Sequence, residues 1–217
     1  MISETQNKLA MGTIIPLGDG SVGKSVILQL LIRKDLSIEE RMKILNDAKK
    51  SKNIEMEFAA EHPEDNDIST VSLQYYNFPG QIQKESARTI TFDEILNIFE
   101  FLPALKTAHV ILLMYDTNRV YTLKSLENWV RIAIKKAWIS EETLLLLISN
   151  KIDLQTPNDA FVEEVRQGIV SFIQQNGIQV GDHQVKSQYT SCKDGKGVDE
   201  VRQAIVNWVA ENGVKKA

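Results

Sequence analysis

Hydrophobic residues along the chain alternate between short continuous runs and segments with helical spacing. The runs at residues 9–17, 109–115 and 143–149 predict strands, the last two buried on both faces, and residues 184–190 are a weaker strand prediction. Pro16 lacks an amide hydrogen, so it must lie at the end of the first strand or at a bulge. Strands that alternate with helical segments predict an α/β fold around a mostly parallel sheet.

Four segments between and after these runs have the spacing of helices. The first begins at Lys24 and is almost continuously apolar up to Ile32, which predicts a buried helix. Three later segments each carry one apolar stripe, and we interpret these stripes, with their aromatic residues, as core packing. The stripes consist of Leu123, Leu126 and Val130, then of Phe161, Val165, Ile169 and Phe172, and finally of Val198, Val201, Ile205 and Trp208.

Two shorter segments predict one antiparallel hairpin. Apolar and polar residues alternate from Ile54 to Phe58 and again from Val71 to Tyr75, which is the pattern of half-buried strands. Turn-forming residues occupy positions 62–67 between them. The hairpin therefore adds one antiparallel pair to an otherwise parallel sheet.

Composition narrows the classes of protein that fit this pattern. The chain has 217 residues, 43% of them hydrophobic, which predicts one compact domain over residues 1–217. Its 25 basic and 29 acidic residues give a net charge of −4, which excludes the basic field of a non-specific nucleic-acid binder. The single cysteine, Cys192, cannot form an internal disulfide, and the three histidines are not at metal-ligand spacing.

Signals for membrane attachment are missing from the sequence. No apolar run approaches the length of a membrane span, and residues 1–10 are too polar for a signal peptide. Residue 2 is Ile2 rather than glycine, and residues 213–217 contain no cysteine, so we expect no direct lipid anchor. We therefore expect a cytoplasmic protein that reaches a membrane only through a partner.

A glycine-rich phosphate motif follows the first predicted strand and opens the first predicted helix. Its glycines let the backbone curl so that NH groups converge on an anion, and the helix N-terminus adds a partial positive charge. Lys24 would reach the outer phosphates, and Ser25 would supply a hydroxyl ligand for Mg²⁺. The predicted phosphate-binding residues are Gly18, Asp19, Gly20, Ser21, Val22, Gly23, Lys24 and Ser25.

Two later motifs indicate which base accompanies the phosphates. Asn150, Lys151 and Asp153 follow the strand predicted at residues 143–149. A carboxylate at Asp153 can accept two hydrogen bonds from the guanine edge, whereas adenine has no matching donors there. The stem of Lys151 can lie along the base. The other wall of the base site is predicted at Thr190, Ser191, Cys192 and Lys193, with backbone NH groups near the guanine carbonyl.

With these motifs in this order, the chain resembles the Ras-like small GTPases from about Leu9 to Val209. Residues 114–118, Met-Tyr-Asp-Thr-Asn, are similar to the Rab subgroup. The resemblance implies a P-loop NTPase fold: a six-stranded, mostly parallel sheet with one antiparallel hairpin strand and helices on both faces. The family places a small side chain at Cys192, so we interpret this residue as packing rather than as a redox sensor.

The family resemblance also implies a function. Members are switch proteins whose GTP and GDP states bind different partners, so we expect effector, activating and exchange proteins. Gly20 favours catalysis by an arginine supplied from outside, because a side chain at that position would obstruct its approach. We therefore expect slow intrinsic hydrolysis that an activating partner raises.

The second switch departs from the family pattern Asp-x-x-Gly-Gln. The chain has Asn77 in place of the aspartate, which can accept a hydrogen bond from a Mg²⁺-bound water but brings no charge, so Mg²⁺ affinity should fall. Gly80 is assigned to the nucleotide site by the resemblance. Gln81 stands where the family places the glutamine that orients the attacking water, the alternative being an exposed loop amide. The Pro-Gly-Gln sequence resembles bacterial cell-polarity GTPases of this superfamily.

The first switch is extended, at about residues 35–53, and lacks the family's metal-binding threonine. Ser37 is better explained as a helix N-cap, because Ser37 and Glu40 form a capping box. Ser51 remains a weak candidate to replace the threonine. It lies in a basic stretch at residues 49–53, which is either a solvated helix end or a segment that approaches phosphates or an acidic partner. The predicted inserted helix carries Ile38, Met42 and Leu45 at helical spacing.

Two further features of this region bear on mechanism. No aromatic residue lies between Val26 and Glu57 to cover the guanine, so we expect faster nucleotide release than in typical family members. Arg41 and Arg88 could reach the γ-phosphate in cis only if their loops folded over the site, and surface solvation is the alternative for both.

Two functions compete on these observations. The first is a GTP-hydrolysing switch in which Gln81 aligns water, Lys24 holds charge, and Ser25 with Mg²⁺ orders the triphosphate. The second is a nucleotide-bound interaction module that hydrolyses little or nothing, favoured by Asn77 and the missing threonine. A small-molecule kinase is disfavoured, because it would leave the guanine motif unexplained.

Overall fold

The structure, a computed structural model, describes residues 8–33, 36–47, 55–60, 68–76 and 108–216. Within these ranges a sheet of seven strands is covered by six helices. The strands are β1 (Lys8–Leu17), β2 (Glu55–Ala60), β3 (Ile68–Tyr76), β4 (Val110–Asp116), β5 (Leu144–Asn150), β6 (Val185–Thr190) and β7 (Val214–Lys216). The helices are α1 (Lys24–Ile32), α2 (Ile38–Asp47), α3 (Tyr121–Lys124), α4 (Leu126–Lys135), α5 (Asp159–Gln175) and α6 (Val198–Asn212).

Six of the strands follow the spatial order β2-β3-β1-β4-β5-β6. Neighbours in this order run parallel, except that β2 runs antiparallel to β3. The predicted fold, a mostly parallel six-stranded sheet with one antiparallel hairpin strand, is therefore confirmed. Pro16 lies one residue before the end of β1, opposite Leu112, as the missing amide hydrogen requires.

Strand β7 adds a second antiparallel pair that the sequence analysis did not predict. It pairs with Leu9, Ala10 and Met11 of β1, on the edge of β1 that β4 occupies from Ile14 onward. A Val-Lys-Lys segment has no alternating apolar pattern, so nothing in its sequence indicates a strand.

Helices cover both faces of the sheet because the central strands are apolar on both faces. Consecutive residues of β1 separate accordingly: Ile14 joins a core with α1 and α6, and Ile15 joins a core with α4 and α5. All seven residues of β4 and of β5 are buried. None of the helices in the described part of the chain has both the length and the apolar character needed to cross a membrane.

The predicted helix at Leu123, Leu126 and Val130 is divided into α3 and α4, although all three residues are buried in one core. Ser125 separates the two helices, and its hydroxyl donates to the carbonyl of Thr122 at 3.0 Å. A side chain that bonds the preceding turn competes with the helix ladder, which accounts for the interruption.

The capping box of the inserted helix is present in the structure. The amide of Ser37 donates to Glu40 Oε2 at 2.8 Å, and the amide of Glu40 donates to Ser37 Oγ at 3.2 Å. The packed side of α2 is centred on Ile44, which is buried. Of the predicted apolar positions, Leu45 packs against the core, whereas Ile38 and Met42 are 69% and 40% exposed. Spacing alone does not show which side of a short helix packs inward.

A buried arginine joins α6 to the end of α1. The guanidinium of Arg202 donates to the carbonyls of Leu30 at 2.8 Å, Leu31 at 2.8 Å and Arg33 at 3.1 Å, and it pairs with Asp199. The last carbonyls of a helix have no partner within the helix, so a cation at this position satisfies them and complements the helix dipole. Arg202 thus fixes the point from which the chain enters the first switch.

We expect Arg202→Met to lower the free energy of unfolding by about 3 kcal/mol, because it leaves buried carbonyls without donors. Urea unfolding followed by circular dichroism measures this change. Arg131→Met is the matched control, since Arg131 is exposed and its ion pair within the described residues is with the exposed Glu127. We expect the control to cost less than about 1 kcal/mol, and equal costs for the two variants would contradict the capping role.

Candidate functional site

The carboxyl ends of β1, β4, β5 and β6 meet at one edge of the sheet, because these strands are parallel. Open α/β sheets bind ligands outside this edge. The loops that follow the four strands carry the phosphate motif, residues 117–120, the Asn150 motif and the Ser191 motif. The fold thus brings together residues that lie far apart in the sequence.

The phosphate motif forms a tight loop between β1 and α1. Gly18, Ser21 and Gly23 have positive φ angles of 138°, 62° and 109°. A Cβ atom on Gly18 would overlap the carbonyl oxygen of Met114, so the loop needs glycine for space as well as for conformation. Alternating backbone conformations of this kind turn successive NH groups inward and favour an anion. Ser25, in the first turn of α1, is half-buried.

Lys24 lies over this loop with its ammonium group at the loop carbonyls. Its Nζ donates to the carbonyls of Gly18 and Asp19, both at 2.7 Å, and the residue is 6% exposed. Burial lowers the pKa of Lys24 to about 8, and the nearby Asp19 carboxylate acts in the opposite direction. A buried cation with little neutralising charge favours a polyanionic ligand, because the ligand supplies the missing countercharge.

Asn150 joins the phosphate loop to the loop that follows β6, residues 191–197 (the β6 loop), through a buried amide. Its Nδ2 donates to the carbonyl of Val22 at 2.8 Å. Its Oδ1 accepts from Thr190 Oγ1 at 3.1 Å and from the amide of Cys192 at 3.3 Å. A Cβ atom on Gly23 would overlap the Asn150 amide, so this glycine also leaves room for the connection.

Asp153 is exposed, and the β6 loop orients it. Ser191 Oγ donates to Asp153 Oδ1 at 2.8 Å and accepts from the amide of Asp194 at 3.1 Å. One oxygen of the carboxylate is thereby fixed, while the group as a whole remains accessible to a ligand. Lys193, the last residue of the predicted wall, is also exposed.

Cys192 is packed beneath this site. It is 4% exposed, and burial raises the pKa of its thiol to about 12. At neutral pH the group is a thiol rather than a thiolate, which makes it a poor nucleophile. These observations support the packing interpretation over the redox-sensor alternative.

Asp116 connects the phosphate loop with the Asn150 motif. It is buried and forms ion pairs with Arg119 Nε at 2.8 Å and with Lys151 Nζ at 2.6 Å. Arg119 Nη2 in turn donates to the carbonyl of Gly20 at 3.2 Å. Burial alone would raise the pKa of Asp116, but the bonds from Lys151 and Arg119 outweigh it, so the net pKa is lowered and the carboxylate stays ionised.

The backbone of Lys151 is held in the left-handed region, with a φ angle of 69°. Thr117, the residue after β4, supports this conformation, because its hydroxyl donates to the carbonyl of Lys151 at 3.0 Å. Its amide donates to the carbonyl of Asn150, also at 3.0 Å. The left-handed conformation is costly for a lysine and persists where the surroundings determine it.

Sequence reasoning missed some residues of this network. Asp116 and Thr117 belong to the segment that resembles the Rab subgroup, so a signal for them existed, and Arg119 directly follows that segment. Trp129 had no such signal: it is buried beside Val130 in α4, yet its Nε1 donates to Asp19 Oδ1 in the phosphate loop at 3.0 Å. Only the packing of α4 beside the loop reveals that contact.

Several predicted residues fall outside the described part of the chain. The remaining predictions for phosphate and base residues all lie at the edge described above. The predicted residues outside the described ranges are Ser51, Ile54, Asn77, Gly80, Gln81 and Arg88, and the basic stretch at residues 49–53 and the turn at residues 62–67 also lie outside them.

We expect Lys24 to take up a proton when guanosine diphosphate binds at pH 8.5 but not when it binds at pH 6.5. With a pKa of about 8, Lys24 is mostly neutral at pH 8.5, and a phosphate raises that pKa, so the bound lysine is charged and affinity falls as the pH rises through 8. Calorimetry in two buffers of different ionisation enthalpy measures the uptake. Lys24→Arg is the control, because its guanidinium stays charged and should take up none. Equal uptake at both pH values would contradict this account.

Comparison with known proteins agrees with the geometry. The model of the Ras family matches residues 13–211 of the chain, a span that includes the phosphate loop, the Asn150 motif and the β6 loop. A search of curated proteins returns no match. Because the family model matches residues 13–211, the chain belongs to the Ras family of GTP-binding small GTPases.

Proposed function

We propose that the protein is a guanine-nucleotide switch that slowly hydrolyses GTP to GDP and phosphate with Mg²⁺ and is regulated by partner proteins. The observation that carries this proposal is the buried Lys24 over a phosphate loop that Asn150 ties to the β6 loop. Effector, activating and exchange proteins are the expected partners, in a cytoplasmic setting.

The phosphate side of the site supports binding of a triphosphate. Amide groups of residues 18–25, the N-terminus of α1 and the ammonium of Lys24 are all concentrated at one loop. These are fixed groups, held by Trp129 and Arg119 from outside the loop, so they need little rearrangement to stabilise charge. The same groups would hold the negative charge of the transferred phosphoryl group.

The base side supports guanine. Asp153 is accessible, and one of its oxygens is fixed by Ser191. Its carboxylate accepts hydrogen bonds from the N1 and 2-amino groups of guanine, whereas adenine would leave it without donors. Lys151, held at Asp116, would place its stem beside the base.

The residues present fit Mg²⁺ in part. The hydroxyl of Ser25 lies one residue after Lys24 in the first turn of α1, and Asn77 would add an indirect contact through water. When bound, Mg²⁺ neutralises charge on the phosphate oxygens. We propose that Gln81 orients the attacking water, with Gly80 beside the phosphate and with an activating partner to complete the charge stabilisation at Gly20.

The second candidate function is an interaction module that binds guanine nucleotides without hydrolysing them. It is favoured by Asn77, which brings no negative charge to the metal, and by the first switch, which lacks threonine between residues 35 and 60. Both functions use the same nucleotide site, so they differ only in turnover.

We expect Asp153→Asn to weaken GDP binding about 100-fold, because the new amide NH₂ opposes the guanine donors and leaves polar groups unpaired. Titration calorimetry with GDP and ADP measures the purine preference of each variant. Asp182→Asn is the matched control, since Asp182 is an exposed aspartate that precedes β6, at the opposite edge of the sheet from the site, and should leave GDP binding unchanged. If the wild-type protein bound neither nucleotide, or bound ADP more tightly, the proposed function would be wrong.

We expect the wild-type protein to release phosphate from GTP slowly and only with Mg²⁺. Lys24→Ala should lower this release by about 100-fold, because the lysine stabilises charge that develops during transfer. Phosphate release at saturating GTP, with and without Mg²⁺, measures the turnover. Guanine-nucleotide binding without turnover above the Lys24→Ala level would favour the interaction module.

A further inference from the structure

Helix α2, which lengthens the first switch, packs against the domain through one side. Ile44 is buried, Leu45 packs on the same core, and Arg41 precedes them by three and four residues. Residues at this spacing share a helix face, so Arg41 is on the packed side rather than among the exposed Glu39 and Lys43. A basic side chain therefore lies between α2 and the body of the protein.

Arg41 contacts the β6 loop, residues 191–197, at Gly195. A Cβ atom on Gly195 would overlap Arg41 Nη1 and would lie 3.1 Å from its Cζ. Arg41 Nε is buried and has no hydrogen-bond partner among the residues that the structure describes. The guanidinium thus packs on the glycine backbone, and a side chain at this position would require Arg41 to move.

Gly195 is connected to Asp153 by a short chain of hydrogen bonds. The amide of Gly195 donates to the carbonyl of Ser191 at 2.8 Å. Ser191 Oγ then donates to Asp153 Oδ1 at 2.8 Å and accepts from the amide of Asp194. A displacement of Gly195 would therefore shift the carboxylate of Asp153, which is expected to select guanine.

This contact bears on the two roles considered for Arg41. A solvated arginine keeps its hydration and its rotamer freedom, whereas Arg41 gives up part of both to pack on Gly195. An arginine directed at the γ-phosphate would serve the phosphate loop, but this guanidinium lies at the loop that borders the base. The chain also has no aromatic residue between Val26 and Glu57 to cover the guanine, so the base site lacks another support from this segment.

We propose that Arg41 is a positioning residue for guanine: from α2 it holds the β6 loop in place, keeps Asp153 oriented and slows nucleotide release. The inference rests on the proposed function, because it assumes a guanine nucleotide at this site. It assigns the inserted helix a role in base retention in addition to any role in partner binding.

The first test compares two variants of α2. Wild-type, Arg41→Ala and Lys43→Ala proteins are loaded with a fluorescent GDP analogue and Mg²⁺, and release is followed by stopped flow with excess GDP. We expect release about tenfold faster for Arg41→Ala, because small displacements of positioned groups have effects of at least this size. Lys43→Ala removes an exposed charge from the same helix and should match the wild type.

A second readout separates positioning from general weakening. Inosine diphosphate lacks the 2-amino group from which Asp153 is expected to accept a hydrogen bond. The ratio of the affinities for GDP and inosine diphosphate therefore reports on the orientation of Asp153. We expect this ratio to fall in Arg41→Ala while the free energy of unfolding stays within about 1 kcal/mol of the wild type. Arg41→Lys should restore little of this ratio, since lysine lacks the planar guanidinium that packs on Gly195.

The contact can also be broken from the other side. Gly195 and Gly177 have φ angles of 80° and 83°, so alanine strains both backbones alike, but only at Gly195 does the new methyl group meet Arg41. We expect fast release for Gly195→Ala and wild-type release for Gly177→Ala. When Arg41 is already alanine, Gly195→Ala should accelerate nucleotide release little further, because the side chain that the new methyl group would meet is gone.

The outcomes distinguish the two proposals. If the wild type binds GDP and Arg41→Ala releases it at the wild-type rate, Arg41 has no positioning role and this inference is overturned. Fast release in Arg41→Ala with an unchanged purine ratio would also overturn it. If the wild type does not bind GDP at all, the proposed function itself fails.

Discussion

The site depends on one buried amide. Asn150 is 1% exposed and joins three backbone or side-chain groups from two other segments of the chain. Each of these groups would cost about 1–3 kcal/mol if it were buried without a partner. The protein's own hydrogen bonds therefore fix the phosphate loop and the β6 loop relative to each other, and under the proposed function this would let a short loop bind phosphates while a distant carboxylate binds the base.

A second connection between the same parts is electrostatic. Asp116 forms ion pairs with both Arg119 and Lys151, and Arg119 also donates a hydrogen bond to the carbonyl of Gly20. A buried ion pair contributes little to stability by itself, because desolvation offsets the attraction. Its effect here is geometric: the carboxylate fixes the direction of two long side chains, one at each end of the site. The neutral amide and the charged cluster thus constrain the site from different sides.

The sequence predicted those parts of the molecule that local chemistry determines. Continuous apolar runs, alternating patterns in the hairpin and one weaker segment identified the six main strands, the phosphate motif identified the turn that needs glycine at Gly18 and Gly23, and Ser37 with Glu40 identified the start of α2. It could not predict contacts that arise only when elements pack. The bond from Trp129 to Asp19 forms only because α4 packs beside the phosphate loop, and β7 is a strand only because the edge of β1 is available to it. The orientation of α2 belongs to the same class, since Ile38 and Ile44 are equally apolar in sequence and only one of them is buried.

Helix α6 is the common support for the segments on this side of the site. Arg202, in the second turn of α6, donates hydrogen bonds to the carbonyls at the end of α1. Gly195, in the loop just before α6, contacts Arg41 of α2. The two helices that flank residues 34–35 are thus both attached to α6 or to the loop that leads into it. Because Asn150, at the end of β5, joins that loop to the phosphate loop, the phosphate loop, the β6 loop and α2 form one connected set of contacts at the carboxyl edge of the sheet.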